Sequence, residues 1–492
     1  MTRAGRAALL ALAAAYLNPR SHAFVGGASI FDSAVRRSMR TRGGSSMPVT
    51  RSEESTEFAN KDEYLAFLRE QGDLPAGFSV GAAGFSFSPI EVPTKKSIMN
   101  VTVIALDEPT ENWAAVFTRN LFPGAPVLVG RRRLASGASL QGIVVNNKIS
   151  NVCPGGEAGA GERDSEAVCG KVAEVWGFAG GADAVLPSST GVIGWRLPTQ
   201  AILDNLSLVQ GRIQRDSLAP AARSIMTTDR YPKLRGCRVG ATGASVVGIA
   251  KGAGMIEPNM ATMLVYILTD LDVPRSALQS LLRAKVDASF NCISVDSDTS
   301  TSDTVVLVSS GKVAAREGDL EAFGAALESV CKGLAQDVVR NGEGTTHVME
   351  VLVKGAPSDA TARRVGKEVV NSPLFKCAVA GNDPNVGRLL AVVGRVMGVL
   401  DPAADLSRTR LSFGGKVVFE NGQFCIDPAL EDEIYAQFKS AEILVNGEHV
   451  AYPPHMRTVQ IEVDMGLGDH EVTVYGSDLT AEYVRINADY RS

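Results

Sequence analysis

The sequence predicts a mixed α/β protein built from layered sheets, and three observations carry that reading. From Ile98 onward, short apolar strands recur between Gly and Pro turns. Stretches with helical periodicity are interleaved with those strands rather than gathered at one end. Hydrophobic residues make up 45% of the 492 positions, enough to bury one large core or two domains. Strands and helices that alternate in this way pack as layers.

In chain order, residues 57 to about 84 read as a polar helix followed by turns. Strands are predicted at 100–106, 125–129, 142–145, 184–186, 245–249 and 264–268, and helices near 111–121, 165–176 and 199–207. Farther on, helices are predicted at 274–288, 320–344, 385–397 and 430–441, and strands at 304–309, 348–355, 458–463 and 471–475. The Gly/Ala-rich stretch 155–161 reads as a surface loop, and no repeat recurs at a solenoid period.

Residues 1–52 differ from the rest. They hold eight Arg, no Lys and one acid, Asp32. Arg3 and Arg6 precede an apolar run at 7–17, and an Arg/Ser-rich stretch continues to Arg51. This composition fits an organelle-targeting leader, not part of the fold. The apolar start followed by Ala-Phe resembles two-part plastid signals, and a mitochondrial presequence fits as well, so plastid stroma and mitochondrial matrix both stand as expectations. Beyond residue 52, 41 basic and 53 acidic side chains remain, a net charge of −12. Such a balance argues against nucleic acid or an anionic membrane as partner. No stretch reaches the ~18 apolar residues of a membrane span. The Arg131-Arg132-Arg133 triplet reads as a solvated turn.

Seven scattered Cys without a Cys-x-x-Cys pair read as reduced, mostly buried thiols. The four His beyond the leader show no metal spacing, so no metal site is expected. The loop from Asp296 to Asp303 has calcium-loop acids, yet Thr301 stands where an EF-hand needs Gly and Leu307 where it needs Glu. The segment Arg238-Val-Gly240-Ala-Thr-Gly243 lacks the first Gly of a dinucleotide fingerprint. At Gly381-Asn-Asp-Pro384, a helix start is predicted with Asp383 as its cap.

The segment with most chemical content is Lys251-Gly-Ala-Gly-Met-Ile-Glu-Pro-Asn-Met-Ala261-Thr262-Met-Leu264. A Gly-rich loop ends in Ala-Thr, and a β-prone apolar run follows. A Thr there is commonly just a strand residue. The same context also suits a bond that cuts itself, with the Thr262 hydroxyl attacking the Ala261 carbonyl. The released α-amine, with a pKa near ~8, would then serve as base for its own hydroxyl. A second segment, Ser188-Ser-Thr190-Gly191-Val-Ile-Gly194, follows a strand. It is either an ordinary turn or one that aims the Thr190 hydroxyl and the Gly191 N–H at one point, as an oxyanion hole requires.

Both segments resemble motifs of the glutamate N-acetyltransferase/ornithine acetyltransferase family of arginine biosynthesis, and further landmarks follow in the family's order from about residue 107 to the C-terminus. The resemblance implies a layered sandwich of paired mixed sheets flanked by helices, in a self-cleaving enzyme with an N-terminal threonine. It implies cleavage between Ala261 and Thr262, an α chain of 53–261 and a β chain of 262–492, joined as a heterotetramer of two of each. Thr262 is the implied nucleophile, and Thr190 with Gly191 the oxyanion hole. Thr228, Lys251, Thr262, Glu343, Asn487 and Ser492 match the family's substrate-binding positions, with Lys251 facing a substrate carboxylate and Glu343 its amino end. The implied reaction moves an acetyl group from N-acetylornithine to glutamate by a ping-pong route, with no bound cofactor. Whether acetyl-CoA also serves as donor is left open. A self-processed aminopeptidase or amidohydrolase of related fold is the competing reading, and a non-catalytic scaffold is a third. The chain departs from the family wording at Asn341, at Ser302, at Val386 and, most, at 146–155, the last of which bears on substrate preference more than on catalysis.

Overall fold

The computed structural model describes residues 58, 60–257, 263–445, 448–452, 455 and 457–488, all within one compact unit, 55–492. Ala261, Thr262, Ser492 and the leader lie outside the described residues.

Two sheets form a sandwich. A four-stranded sheet runs in the order Phe78–Phe87, Ser97–Thr110, Leu140–Asn146 and Val185–Ser189. A five-stranded sheet runs Trp113–Phe117, Thr304–Val313, Leu264–Leu271, Ser245–Lys251 and Lys233–Arg238. The strand Leu264–Leu271 shows how sequence becomes layers. Its residues are all buried, because both faces are covered. Leu264, Tyr266 and Leu268 enter the core between the two sheets. Val265 and Ile267 enter a second core, against the helices Arg275–Asp287 and Asp319–Arg340. In the first of those helices Leu278, Leu282 and Val286 recur at four-residue spacing and are buried. Helices Ala160–Trp176 and Thr199–Gln210 cover the outer face of the four-stranded sheet. The C-terminal part adds a seven-stranded mixed sheet with its own core against helices Asp359–Asn371, Val386–Leu400 and Pro428–Ser440. Paired mixed sheets flanked by helices, as expected, are what the chain forms.

Several elements differ from the sequence reading. The strand expected at 125–129 is the start of a helix, Ala125–Ser136. Pro lies in its first turn and Gly137 closes it in the left-handed region at φ 76°, which are helix start and stop signals that outrank a short apolar run. The Arg triplet is therefore helical, and Arg133 is buried, donating to the Val185 carbonyl and to Glu166. The helix expected at 111–121 is a buried strand, Trp113–Phe117. Ala114 and Val116 face one core while Trp113, Ala115 and Phe117 face the other, so every position is apolar and no period shows. The turns expected before 84 are strand Phe78–Phe87. Asn385, not Asp383, caps the helix Val386–Leu400, accepting from the Arg388 N–H at 3.0 Å. All seven cysteines are free, but Cys153, Cys377 and Cys425 are exposed.

The expected boundary at 261/262 does not separate two compact units. Within the five-stranded sheet, Ser245–Lys251 precedes the boundary and pairs with Leu264–Leu271, which follows it. Trp113–Phe117 likewise pairs with Thr304–Val308. The halves share one sheet.

Candidate active site

The two ends of the 251–264 segment are brought side by side by strand pairing. Lys251 ends one strand directly opposite Leu264, which begins the next, and Leu264 also pairs with Thr304. Met263 and Leu264 line a cavity of about 350 Å³. Thr190, Gly191, Thr228, Lys251, Glu343 and Asn487 line the same cavity.

The Thr190-Gly191 turn is fixed by the Asn-rich segment that departs from the family wording. The Thr190 N–H donates to the Asn146 carbonyl at 3.0 Å and the Val192 N–H to the Lys148 carbonyl at 2.9 Å. The Asn146 side chain binds the Ile149 carbonyl and accepts from the Ser189 hydroxyl at 2.6 Å. Between them Gly191 has φ 129°, a conformation L side chains rarely adopt. A Cβ there would lie 2.1 Å from the Lys148 carbonyl carbon. The Gly191 N–H has no acceptor among the described residues and is free to serve a ligand. Asn147 extends the scaffold, donating to the carbonyls of Ser224 and Met226 and thereby holding the loop that carries Thr228.

Lys251 Nζ donates to Thr190 Oγ1 at 2.9 Å. With its oxygen accepting from an ammonium, the Thr190 hydroxyl hydrogen is directed elsewhere and polarised. Burial pushes the Lys251 ammonium below its ordinary range, opposed by Asp229, Asp303 and Glu343. Beneath it lies a buried ion pair between Lys233 and Asp229. Burial raises the Asp229 carboxyl, but the charges of Lys233 and Lys251 and its hydrogen bonds outweigh that and hold it well below the carboxylate range. Asp229 also accepts from the Gly252 N–H at 2.8 Å, tying the start of the 251–264 segment to the Thr228 loop.

Across the cavity, the Glu343 carboxylate accepts from Asn487 Nδ2 at 2.8 Å. It lies against Gly254, where a Cβ would stand 2.3 Å from Glu343 Oε2 and the carboxylate would have to shift. The cavity thus sets a cation and an anion on different walls, which suits a ligand carrying both a carboxylate and an amine. Thr190→Val keeps the shape of the side chain and removes the hydroxyl, both a donor and the acceptor of the Lys251 bond. If Thr190 serves as an oxyanion donor, its kcat should fall by about 10²-fold in folded protein, and an unchanged kcat in steady-state assays would count against that role.

Of the residues expected at the site, the structure brings together all that are described. Lys251 departs in detail, since one of its donors is already used on Thr190. Sequence reasoning missed Gly254 and the wall formed by Ser300, Thr301, Ser302 and Asp303. The Gly-Ala-Gly spacing of the motif signals the first. Asp303 is 1% exposed and one of its oxygens has no partner among the described residues. Burial pushes its carboxyl well above the usual range, beyond what Ser300, Lys251 and Thr118 restore. Nothing in the sequence separates this acid from its exposed neighbours.

Comparison with known proteins places this geometry. The ArgJ family model matches residues 86–492. The arginine biosynthesis bifunctional protein ArgJ of Ruegeria pomeroyi is 41% identical over 394 residues, covering 79% of this chain and 90% of that protein. The glutamate N-acetyltransferase Oat2 of Streptomyces clavuligerus is 39% identical over 391 residues, covering 79% of this chain and 92% of that one. Among solved structures, the arginine biosynthesis bifunctional protein ArgJ of Bacillus halodurans is 33% identical with a TM-score of 0.40, covering 46% of this chain and 99% of that chain. With the family model matched over most of its length, this chain belongs to the ArgJ family.

Proposed function

We propose that the protein is a glutamate N-acetyltransferase that takes its acetyl group from N-acetylornithine, through an ester on Thr262. The observation that carries this reading is the convergence of Thr190, Gly191, Thr228, Lys251, Glu343 and Asn487 on one cavity, with Met263, next in the chain after Thr262, in its lining. The names of its relatives in Ruegeria pomeroyi and Streptomyces clavuligerus support it.

Maturation comes first. The Thr262 oxygen adds to the Ala261 carbonyl, the C–N bond breaks, and the hydroxyl proton passes to the departing nitrogen. Water then hydrolyses the ester, leaving a carboxylate on Ala261 and a free amine and hydroxyl on Thr262. In turnover the amine takes the hydroxyl proton as the oxygen attacks the acetyl carbonyl. Negative charge on the carbonyl oxygen is met by the Gly191 N–H and the Thr190 hydroxyl. Collapse expels ornithine, whose nitrogen takes the proton from the Thr262 ammonium. Glutamate's amine then attacks the acetyl ester in the reverse sense. Lys251 and Glu343 supply the opposite charges that orient either amino acid.

The assay incubates the protein with N-acetylornithine and glutamate and quantifies N-acetylglutamate and free ornithine by chromatography. Equal amounts of both products support the transferase. Ornithine and acetate without N-acetylglutamate would favour the self-processed hydrolase. Acetyl-CoA as a second donor is tested by the same assay without N-acetylornithine, and the word bifunctional in the names of several relatives supports trying it. The leader composition supports import into a plastid or mitochondrion, tested by fusing residues 1–52 to a fluorescent protein. Assembly as two α and two β chains is tested by native mass spectrometry.

The tail gives a further expected result. The helix Ala481–Ala488 carries Asn487 to Glu343 and is seated on Gly344, where a Cβ would meet Tyr483 N at 2.3 Å. Deleting residues 487–492 should leave self-cleavage intact and raise KM for N-acetylornithine by about tenfold or more, the mark of lost binding. An unchanged KM would make this tail purely structural.

A further inference from the structure

The loop that fails as a calcium site grips the chain on both sides of the proposed cut. Upstream, the Asp296 carboxylate accepts from the Met255 N–H through Oδ2 and from the Ile256 N–H through Oδ1, each at 2.7 Å. The same loop adds backbone support. The Val295 N–H donates to the Ile256 carbonyl at 2.7 Å, and the Glu257 N–H to the Asp298 carbonyl at 3.1 Å. The Thr299 hydroxyl donates to the Glu257 carbonyl at 3.1 Å. Downstream, the Thr304 N–H donates to the Met263 carbonyl at 2.9 Å. Residues 295–304 therefore hold the chain just before and just after the segment containing Ala261 and Thr262.

Asp296 differs from the other contacts in two ways. It is a side chain that uses both carboxylate oxygens on consecutive N–H groups. Those groups point the same way because Met255 stands at φ 55°, in the left-handed region that a long side chain does not choose for itself. The carboxylate compensates for that unfavourable turn, and charge-assisted bonds to backbone N–H groups are among the stronger hydrogen bonds. The Tyr483 hydroxyl also donates to Asp296 Oδ2 at 3.1 Å, and the Asp298 N–H to Oδ1 at 3.4 Å.

We propose that Asp296 is a positioning residue for self-cleavage, its carboxylate fixing the chain at Met255 and Ile256 relative to the strand that begins at Leu264. The inference rests on the self-cleavage reading. A hydroxyl attacking the preceding carbonyl needs the two held in register, and small misplacements of reacting groups cost large factors in rate. With Asp296 removed, the upstream end retains backbone bonds but loses the pair that sets its turn.

The test follows cutting of the full-length chain made in a cell-free reaction, by the appearance of two fragments on a gel. Asp296→Ala should slow cutting by roughly 10- to 100-fold. Asp296→Asn keeps one acceptor and should fall between the two rates, which also covers the case of an Ala variant that fails to fold. Asp298→Ala changes the same loop but removes no side-chain bond to residues 255–257, and should cut like the wild type. Tyr483→Phe should also cut like the wild type, since both backbone bonds to Asp296 remain. Once cut, Asp296→Ala enzyme should keep a wild-type kcat. Cutting of Asp296→Ala at the wild-type rate, or equal slowing in Asp296→Ala and Asp298→Ala, overturns the proposal. A wild-type chain that never cuts overturns the self-cleavage reading with it, so the two failures are distinguishable.

Discussion

Replacing Thr262 by Ala is expected to leave one uncut chain with acetyl transfer reduced to background. Both losses come from the same atoms. Without the hydroxyl there is no attack on the Ala261 carbonyl, so no α-amine is released. Without hydroxyl and amine there is neither nucleophile nor base for the acetyl group. Thr262→Ser retains both and should cut and turn over, at a reduced rate because the smaller side chain is less fixed about its Cα–Cβ bond. Intact-mass measurement distinguishes one chain from fragments ending at Ala261 and beginning at Thr262. Full activity from an uncut wild-type chain would overturn the assignment of Thr262.

The second large effect is expected at Gly191. Gly191→Ala puts a Cβ 2.1 Å from the carbonyl carbon of Lys148, at a φ of 129°. Neither neighbour can yield cheaply. Lys148 is itself held at φ 74°, and its carbonyl accepts the Val192 N–H. The turn must open, carrying the Gly191 N–H and Thr190 away from their common focus. Loss of one such donor costs about 10²–10³ in kcat, and here both are displaced, so a fall of at least that size is expected. KM should change less than kcat, because the charged groups at Lys251 and Glu343 lie on other segments. Steady-state kinetics on folded, fully cut protein checks this, with a lowered melting temperature expected from the opened turn. A kcat within about threefold of wild type would show that the turn does not bind the oxyanion.

Much of this site was legible in the sequence, for a specific reason. Thr190, Gly191, Thr228, Lys251, Glu343 and Asn487 sit in short motifs whose spacing survives without any view of the fold, and each of them lines the cavity. What was misread follows a pattern too. Residues 113–117 and 125–129 are apolar throughout, and an apolar run buried on all sides carries no period from which to choose helix or strand. For 125–129 the capping Pro and Gly hold the answer locally. For 113–117 only pairing with Thr304–Val308 decides it. The Asn-rich stretch from Asn146 was a departure from family wording that bore on substrate preference. In the folded chain it is the support of the Thr190-Gly191 turn, a role made of side-chain bonds to carbonyls that no spacing rule encodes.

By itself the sequence determined the layered α/β class, the family and most of the residues that meet at the cavity. These are properties of local pattern, namely periodicity, turn residues and motif wording. The tertiary structure alone decided how the parts meet. It placed Lys251 on Thr190 instead of leaving its charge wholly for substrate, and made Gly254 the space that Glu343 occupies. It also buried Asp303 without a full set of partners among the described residues, and put one loop across both ends of the proposed cut. Each of these joins residues tens of positions apart or more, and their separation in space is fixed by strand register and sheet packing, which depend on the whole buried core at once.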